Sequence, residues 1–79
     1  MTKLEEKLKE LGYEIPLNSI ERNIYFKTTI LYIFSVKIEN GKITNNQVYF
    51  LVRWLSFDNL QQAFNEMQKD LEELREYEI

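Results

Sequence analysis

The sequence predicts an α+β fold in the order α-β-β-α, with a long antiparallel hairpin packed by two helices. Three observations carry that expectation. An Asn40-Gly41 step separates two β-rich runs of equal length, Ile24 to Glu39 and Lys42 to Phe57. A leucine stripe precedes them, and a longer apolar seam at helical spacing follows. Both helical patterns repeat at three and four residues, the period of one helix face. The chain is read as one domain, residues 1–79, with a helix near 3–11, the hairpin over 24–57 turning at 40–41, and a helix near 58–77.

The first helix has its punctuation written out. Thr2-Lys3-Leu4-Glu5 fits a capping box, in which the threonine hydroxyl accepts from the backbone at Glu5. Leu4, Leu8 and Leu11 form one stripe, Gly12 supplies a left-handed terminus, and Pro16 prevents continuation. From Tyr13 to Asn23 the apolar anchors Ile15, Leu17 and Ile20 are separated by polar residues. That pattern suits a loop with a short extended piece.

Asn-Gly is the strongest short hairpin signal, because a type I′ turn needs positive φ at both central residues. The turn places Glu39 opposite Lys42 and Ile38 opposite Ile43. An unbroken register would then pair Ser35 with Asn46 and Tyr32 with Tyr49. A bulge at Asn45-Asn46 would instead swap the faces of the second strand. Neither arrangement makes either face cleanly polar. Each 16-residue run would span roughly 50 Å when extended, whereas a compact domain of this size is about 25–30 Å across. The ribbon must coil, break or project. Lys27-Thr28-Thr29 is the obvious breakpoint, and a break there gives a third short strand.

For the last helix, Asp58 is the expected N-cap, with Ser56 as competitor. Leu60, Phe64, Met67, Leu71 and Leu74 make its seam.

Composition excludes more than it assigns. Among 79 residues there is no cysteine and no histidine. Disulfides are excluded, and structural zinc is unsupported. The commonest general base and the best thiol nucleophile are also missing. With only Gly12 and Gly41 there is no phosphate-binding glycine loop and no dinucleotide fingerprint. We therefore expect no enzyme and no cofactor. No long apolar stretch suggests a membrane partner, and the charged start of the chain lacks the apolar core of a secretory signal. A cytoplasmic protein is the expectation. Asn, Ile, Lys, Glu and Tyr are abundant while Gly, Pro and Ala are scarce, a usage that suits an AT-rich source such as a phage or mobile element.

A chain this short buries only about 60% of the surface its unfolded form exposes. Without disulfides or a metal, oligomerisation is the remaining supplement. A homodimer is expected, with Leu31, Ile33, Phe50, Val52 and Trp54 as interface candidates on one hairpin face. Charge suggests a further partner. Residues 58–79 carry seven acidic and two basic side chains, and residues 1–57 carry eight basic and six acidic. Gln68, Asp70, Glu73 and Glu76 are the candidates for docking a basic protein. The alternative is single-stranded nucleic acid on the sheet, through Tyr25, Lys27, Lys37, Tyr49, Arg53 and Trp54. The order of elements resembles that of double-stranded-RNA-binding domains. The second helix here is acidic, however, where such domains need lysines, and a net charge of −3 makes nucleic acid the weaker reading.

Overall fold

A computed structural model describes residues 2–79. The order is α1 (Lys3–Glu10), β1 (Ile24–Thr28), β2 (Tyr32–Glu39), β3 (Lys42–Phe50) and α2 (Phe57–Arg75). The strands form one antiparallel sheet in the order β1-β2-β3. The fold is therefore α+β, with the hairpin extended by a third strand.

α1 begins as its capping box dictates, the Thr2 hydroxyl accepting from the Glu5 N–H at 3.2 Å. It ends on Gly12 at φ +99°. There the Gly12 N–H reaches the Lys9 carbonyl at 3.0 Å and the Tyr13 N–H the Leu8 carbonyl at 2.9 Å. Those are the two bonds of a Schellman terminus. The segment after it includes the extended piece: Glu14 exchanges both backbone hydrogen bonds with Phe26, at 2.9 and 2.8 Å, and so covers the outer edge of β1.

The turn at Asn40-Gly41 has φ of 53° and 76°, and pairs Glu39 with Lys42 and Ile38 with Ile43. The long runs then depart from one continuous ribbon. The first breaks at Thr29–Leu31. The Thr29 hydroxyl donates to the Tyr32 carbonyl at 2.8 Å and accepts from the Tyr32 N–H at 3.1 Å. The side chain thus closes a tight turn and sends β1 back along β2. The second run leaves the sheet after Phe50, and residues 51–56 are irregular.

The bulge lies earlier than Asn45-Asn46. Ile38 pairs with Ile43 but Lys37 with Asn45, so Thr44 is the extra residue. Its consequence is the expected exchange of faces. Val48 and Phe50 lie opposite Phe34 and Tyr32, while Tyr49 lies opposite Ile33.

Both helices cover one face. The core joins Leu4 and Leu8 of α1, Tyr13 of the segment after it, Tyr25, Tyr32, Phe34 and Val36 of the strands, and Ala63, Met67, Leu71 and Leu74 of α2. α2 starts on Ser56, whose hydroxyl accepts from the Asn59 N–H at 3.2 Å, and Asp58 falls in the first turn. The helix is also rolled relative to the expected seam. Ala63 and Asp70 are buried, whereas Phe64 is 54% exposed and Leu60 half-buried.

Candidate interaction surface

The roll of α2 has a polar cause. Asp70 is buried, and one of its oxygens accepts from the Tyr13 hydroxyl at 2.9 Å and from the Lys27 ammonium at 3.0 Å. Lys27 comes from β1 on the helix-facing side, and its ammonium lies 5.4 Å from the Tyr13 ring centre and 5.9 Å from that of Phe34. Burial, then the hydrogen bond to Asp70, pushes the Tyr13 phenol well above the ordinary tyrosine range. Nearby, the Tyr32 hydroxyl donates to Glu66 at 2.7 Å. Burial first, then Glu66, pushes this phenol up to about 12. No buried side-chain nitrogen or oxygen among the described residues lacks a partner. Lys27 and Asp70 are thus bound to each other inside the fold, as a buried charge requires.

The outside is less tidy. At the end away from Asn40-Gly41, the β1–β2 turn, the end of β3, the 51–56 segment and the start of α2 converge. The Leu51 N–H donates to the Leu31 carbonyl at 2.8 Å, which ties the turn to the strand end. Here Ile30 is 92% exposed, Trp54 82%, Phe57 75% and Leu51 50%. A shallow groove of about 400 Å³ runs between the turn and α2, lined by Thr29, Ile30, Leu31, Asn59, Gln62 and Glu66. The sheet face away from the helices carries Ile24, Phe26, Ile33 and Tyr49 among Thr28, Ser35, Lys37, Asn45 and Gln47, as the pairing register and strand alternation require.

The predicted dimer residues do not share one face. Ile33 lies on the open sheet face, while Phe50 lies on the helix side, its ring 6.1 Å from that of Phe64. Leu31 packs against the core from the turn, and Val52 and Trp54 follow the end of β3.

The acidic set is divided too. Asp70 is turned inward, which removes it from any docking face. Gln68 and Glu76 are exposed, but helix periodicity places Gln68 on the flank opposite Glu73, and Glu73 is half-buried.

In the nucleic-acid set, Tyr25 is buried in the core and Lys27 is engaged by Asp70. Lys37 pairs with Glu39 at 3.3 Å. Tyr49, Arg53 and Trp54 remain exposed, without a free lysine between them. Leu17 and Ile20, expected as anchors, are each 98% exposed. Ile30, Phe57 and Phe64 are further surface residues that sequence reasoning missed. Their hydrophobicity at β and helical spacing read as core, and the Thr29 turn and the roll of α2 turn them outward.

Among the described residues, no group of three or more Asp or Glu side chains gathers to hold a metal ion, and no helix is long and apolar enough to cross a membrane. Comparison with protein families, with curated proteins and with solved structures finds no match to this chain.

Proposed function

We propose that this protein is a small non-enzymatic module that acts through protein–protein contact, as a regulatory or inhibitory protein of the cytoplasm. Its composition suits the AT-rich genome of a phage or mobile element. A chain without cysteine also suits a reducing compartment, where disulfides give no stability.

The observation that carries the reading is the apolar end formed by Ile30, Leu51, Trp54 and Phe57, each at least half exposed. Contiguous apolar surface costs about 25 cal/mol per Å² to leave in water, and on small proteins it marks contact sites. The acidic residues support this site less directly. With Asp70 inside, those of α2 serve as a polar rim rather than the anchor, and aromatic centres with polar rims are the common anatomy of protein interfaces.

The test is affinity capture from a bacterial lysate, with the wild type beside an Ile30→Ser, Trp54→Ser double variant. Both side chains are nearly free of the fold, so circular dichroism of the variant should match the wild type. A protein retained by the wild type and lost by the variant supports the reading. Retention of the same proteins by both would reject this surface. A labelled single-stranded oligonucleotide bound at micromolar concentration, with binding lost on Arg53→Ala, would favour the nucleic-acid alternative instead.

A further inference from the structure

We infer that the outer edge of β3 is where a second copy of this chain binds. The two β3 strands pair antiparallel about a two-fold axis at Gln47, joining two three-stranded sheets into one of six. The inference rests on the protein-contact reading and names a specific partner and register for it.

The backbone decides which groups are free. The Ile38 N–H donates to the Asn23 carbonyl at 2.9 Å, so the Ile38 backbone faces the β1 side. Alternation along an antiparallel strand then turns Val36 towards β1, and Lys37, Ser35 and Ile33 towards β3. Their partners on β3 are Asn45, Gln47 and Tyr49. Asn46, Val48 and Phe50 must therefore point their N–H and carbonyl groups away from the sheet. The start of this edge is closed: a Glu78 carboxylate oxygen accepts from the Ile43 N–H at 2.7 Å, and the Gly41 carbonyl accepts from the Ile79 N–H at 3.1 Å. Beyond Ile43 no other described backbone group bonds to this edge. The open stretch lies between the bulge at Thr44 and the strand end at Phe50, with Gln47 midway.

This edge carries none of the usual protections. Glu14 covers the far edge of the sheet. Natural edge strands are otherwise blunted by lysine, inward charge, proline or short length. Thr44 to Phe50 contains no charged residue and no proline, and β3 is nine residues long. Its one irregularity, the bulge at Thr44, lies at the end that is already closed.

Three features select a second copy as the occupant. An uncharged strand meets itself without like-charge repulsion, and it offers nothing to distinguish a charged peptide. The midpoint register centres the contact on this stretch: Asn46 of one copy exchanges hydrogen bonds with Val48 of the other, and Asn45 stands opposite Tyr49. It keeps both helix layers on one side, because paired residues share a sheet face. Finally, apolar surface flanks the edge. The α2 flank beside β3 presents Phe57 and Phe64, one heptad apart, and Phe64 touches Phe50. With Phe50 at 36% exposure, Tyr49 at 48%, Phe57 at 75% and Phe64 at 54%, the four expose about two whole aromatic side chains, roughly 400 Å². That is about half of the ~800 Å² that a partner contributes to a standard interface, and the exposed residues from Thr44 to Gln47 add to it.

A charge exchange at the axis tests both the partner and the register. Gln47 is exposed and outside the core, so Gln47→Lys and Gln47→Glu should fold as the wild type does by circular dichroism. Sedimentation equilibrium at micromolar concentration should give twice 9.6 kDa for the wild type and 9.6 kDa for each variant alone. An equimolar mixture of the two variants should restore the dimer. A wild type of 9.6 kDa would overturn the inference while leaving contact with another protein open to the capture experiment. Dimers that persist in both variants, or variants that do not recombine, would reject the Gln47 axis. A monomeric wild type whose edge accepts an added extended peptide would assign β3 to a peptide partner instead.

Discussion

Asp70 shows how one side chain can reorganise a helix. Three residues after Met67 and four before Leu74, it borders the apolar seam of α2, but nothing local in the sequence marks its carboxylate as buried. Its reason lies far along the chain, in Tyr13 and Lys27, which reach it at 2.9 and 3.0 Å. Asp70→Ala would leave the Lys27 ammonium without its counter-charge and a buried hydroxyl without its acceptor. It should lower stability by about 2–4 kcal/mol in chemical denaturation. Tyr13→Phe removes one hydroxyl and should cost about 1 kcal/mol. Pairing Asp70→Leu with Lys27→Met should recover much of the single-variant loss, since the uncompensated charge goes too. The tyrosines add a pH signature. The Tyr32 phenol is raised from 10.0 to about 12, so folding favours its neutral form. That contribution is intact below pH 10.0 and is lost as pH rises through about 12. Denaturation midpoints should fall across this window, and Tyr32→Phe should flatten part of the fall. An unchanged slope would show that burial against Glu66 does not govern the Tyr32 ionisation.

Elements were legible where their signals are local. The Thr2 cap, the Gly12 terminus and the Asn40-Gly41 turn depend on residues within a few positions, and the structure uses each of them. Gly41→Val should accordingly cost about 1–3 kcal/mol, because a β-branched residue is strained at φ +76°. Its Cβ would also meet the Ile79 side chain at 2.6 Å. A denaturation midpoint unchanged by this substitution would mean that the turn tolerates positive φ without glycine. The helix cap offers a paired comparison: Ser56→Ala should cost about 1 kcal/mol, with Asp58→Ala costing less. What the sequence placed only approximately was cooperative. The break expected at Lys27-Thr28-Thr29 falls at Thr29–Leu31, a stretch with no Gly, Asn or Pro, and depends on the Thr29 hydroxyl bonding Tyr32 in both directions. The bulge expected as an alternative at Asn45-Asn46 falls at Thr44, which has no residue signature of its own. Its effect is to set Val48 and Phe50 under α2, so the need for it arises only once the helix is docked. The interface candidates were divided for the same reason: one extra residue in β3 separates Ile33 from Phe50.

At the scale of the whole molecule, two layers fill a body of 38 × 29 × 20 Å, with the helices on one side of the sheet. Protection from solvent is therefore uneven in a way that hydrogen exchange can read. β2 is paired on both edges and holds Phe34 and Val36, each with no exposed surface. Its amides should exchange slowest, through global unfolding. The amides of Asn45, Gln47 and Tyr49 point into the β2–β3 ladder and should follow them. Those of Asn46, Val48 and Phe50 point outward, and in an isolated chain they should exchange as open edge groups whatever the stability of the core. Across a two-fold axis at Gln47 they become paired, and mass action makes their protection depend on protein concentration. Exchange followed by magnetic resonance over a dilution series should show fast exchange at 46, 48 and 50 in dilute protein and slow exchange in concentrated protein, with β2 changing much less. Fast exchange at all three positions at every concentration would mean that the edge stays unpaired, and protection at every concentration would mean that another part of the chain already covers it.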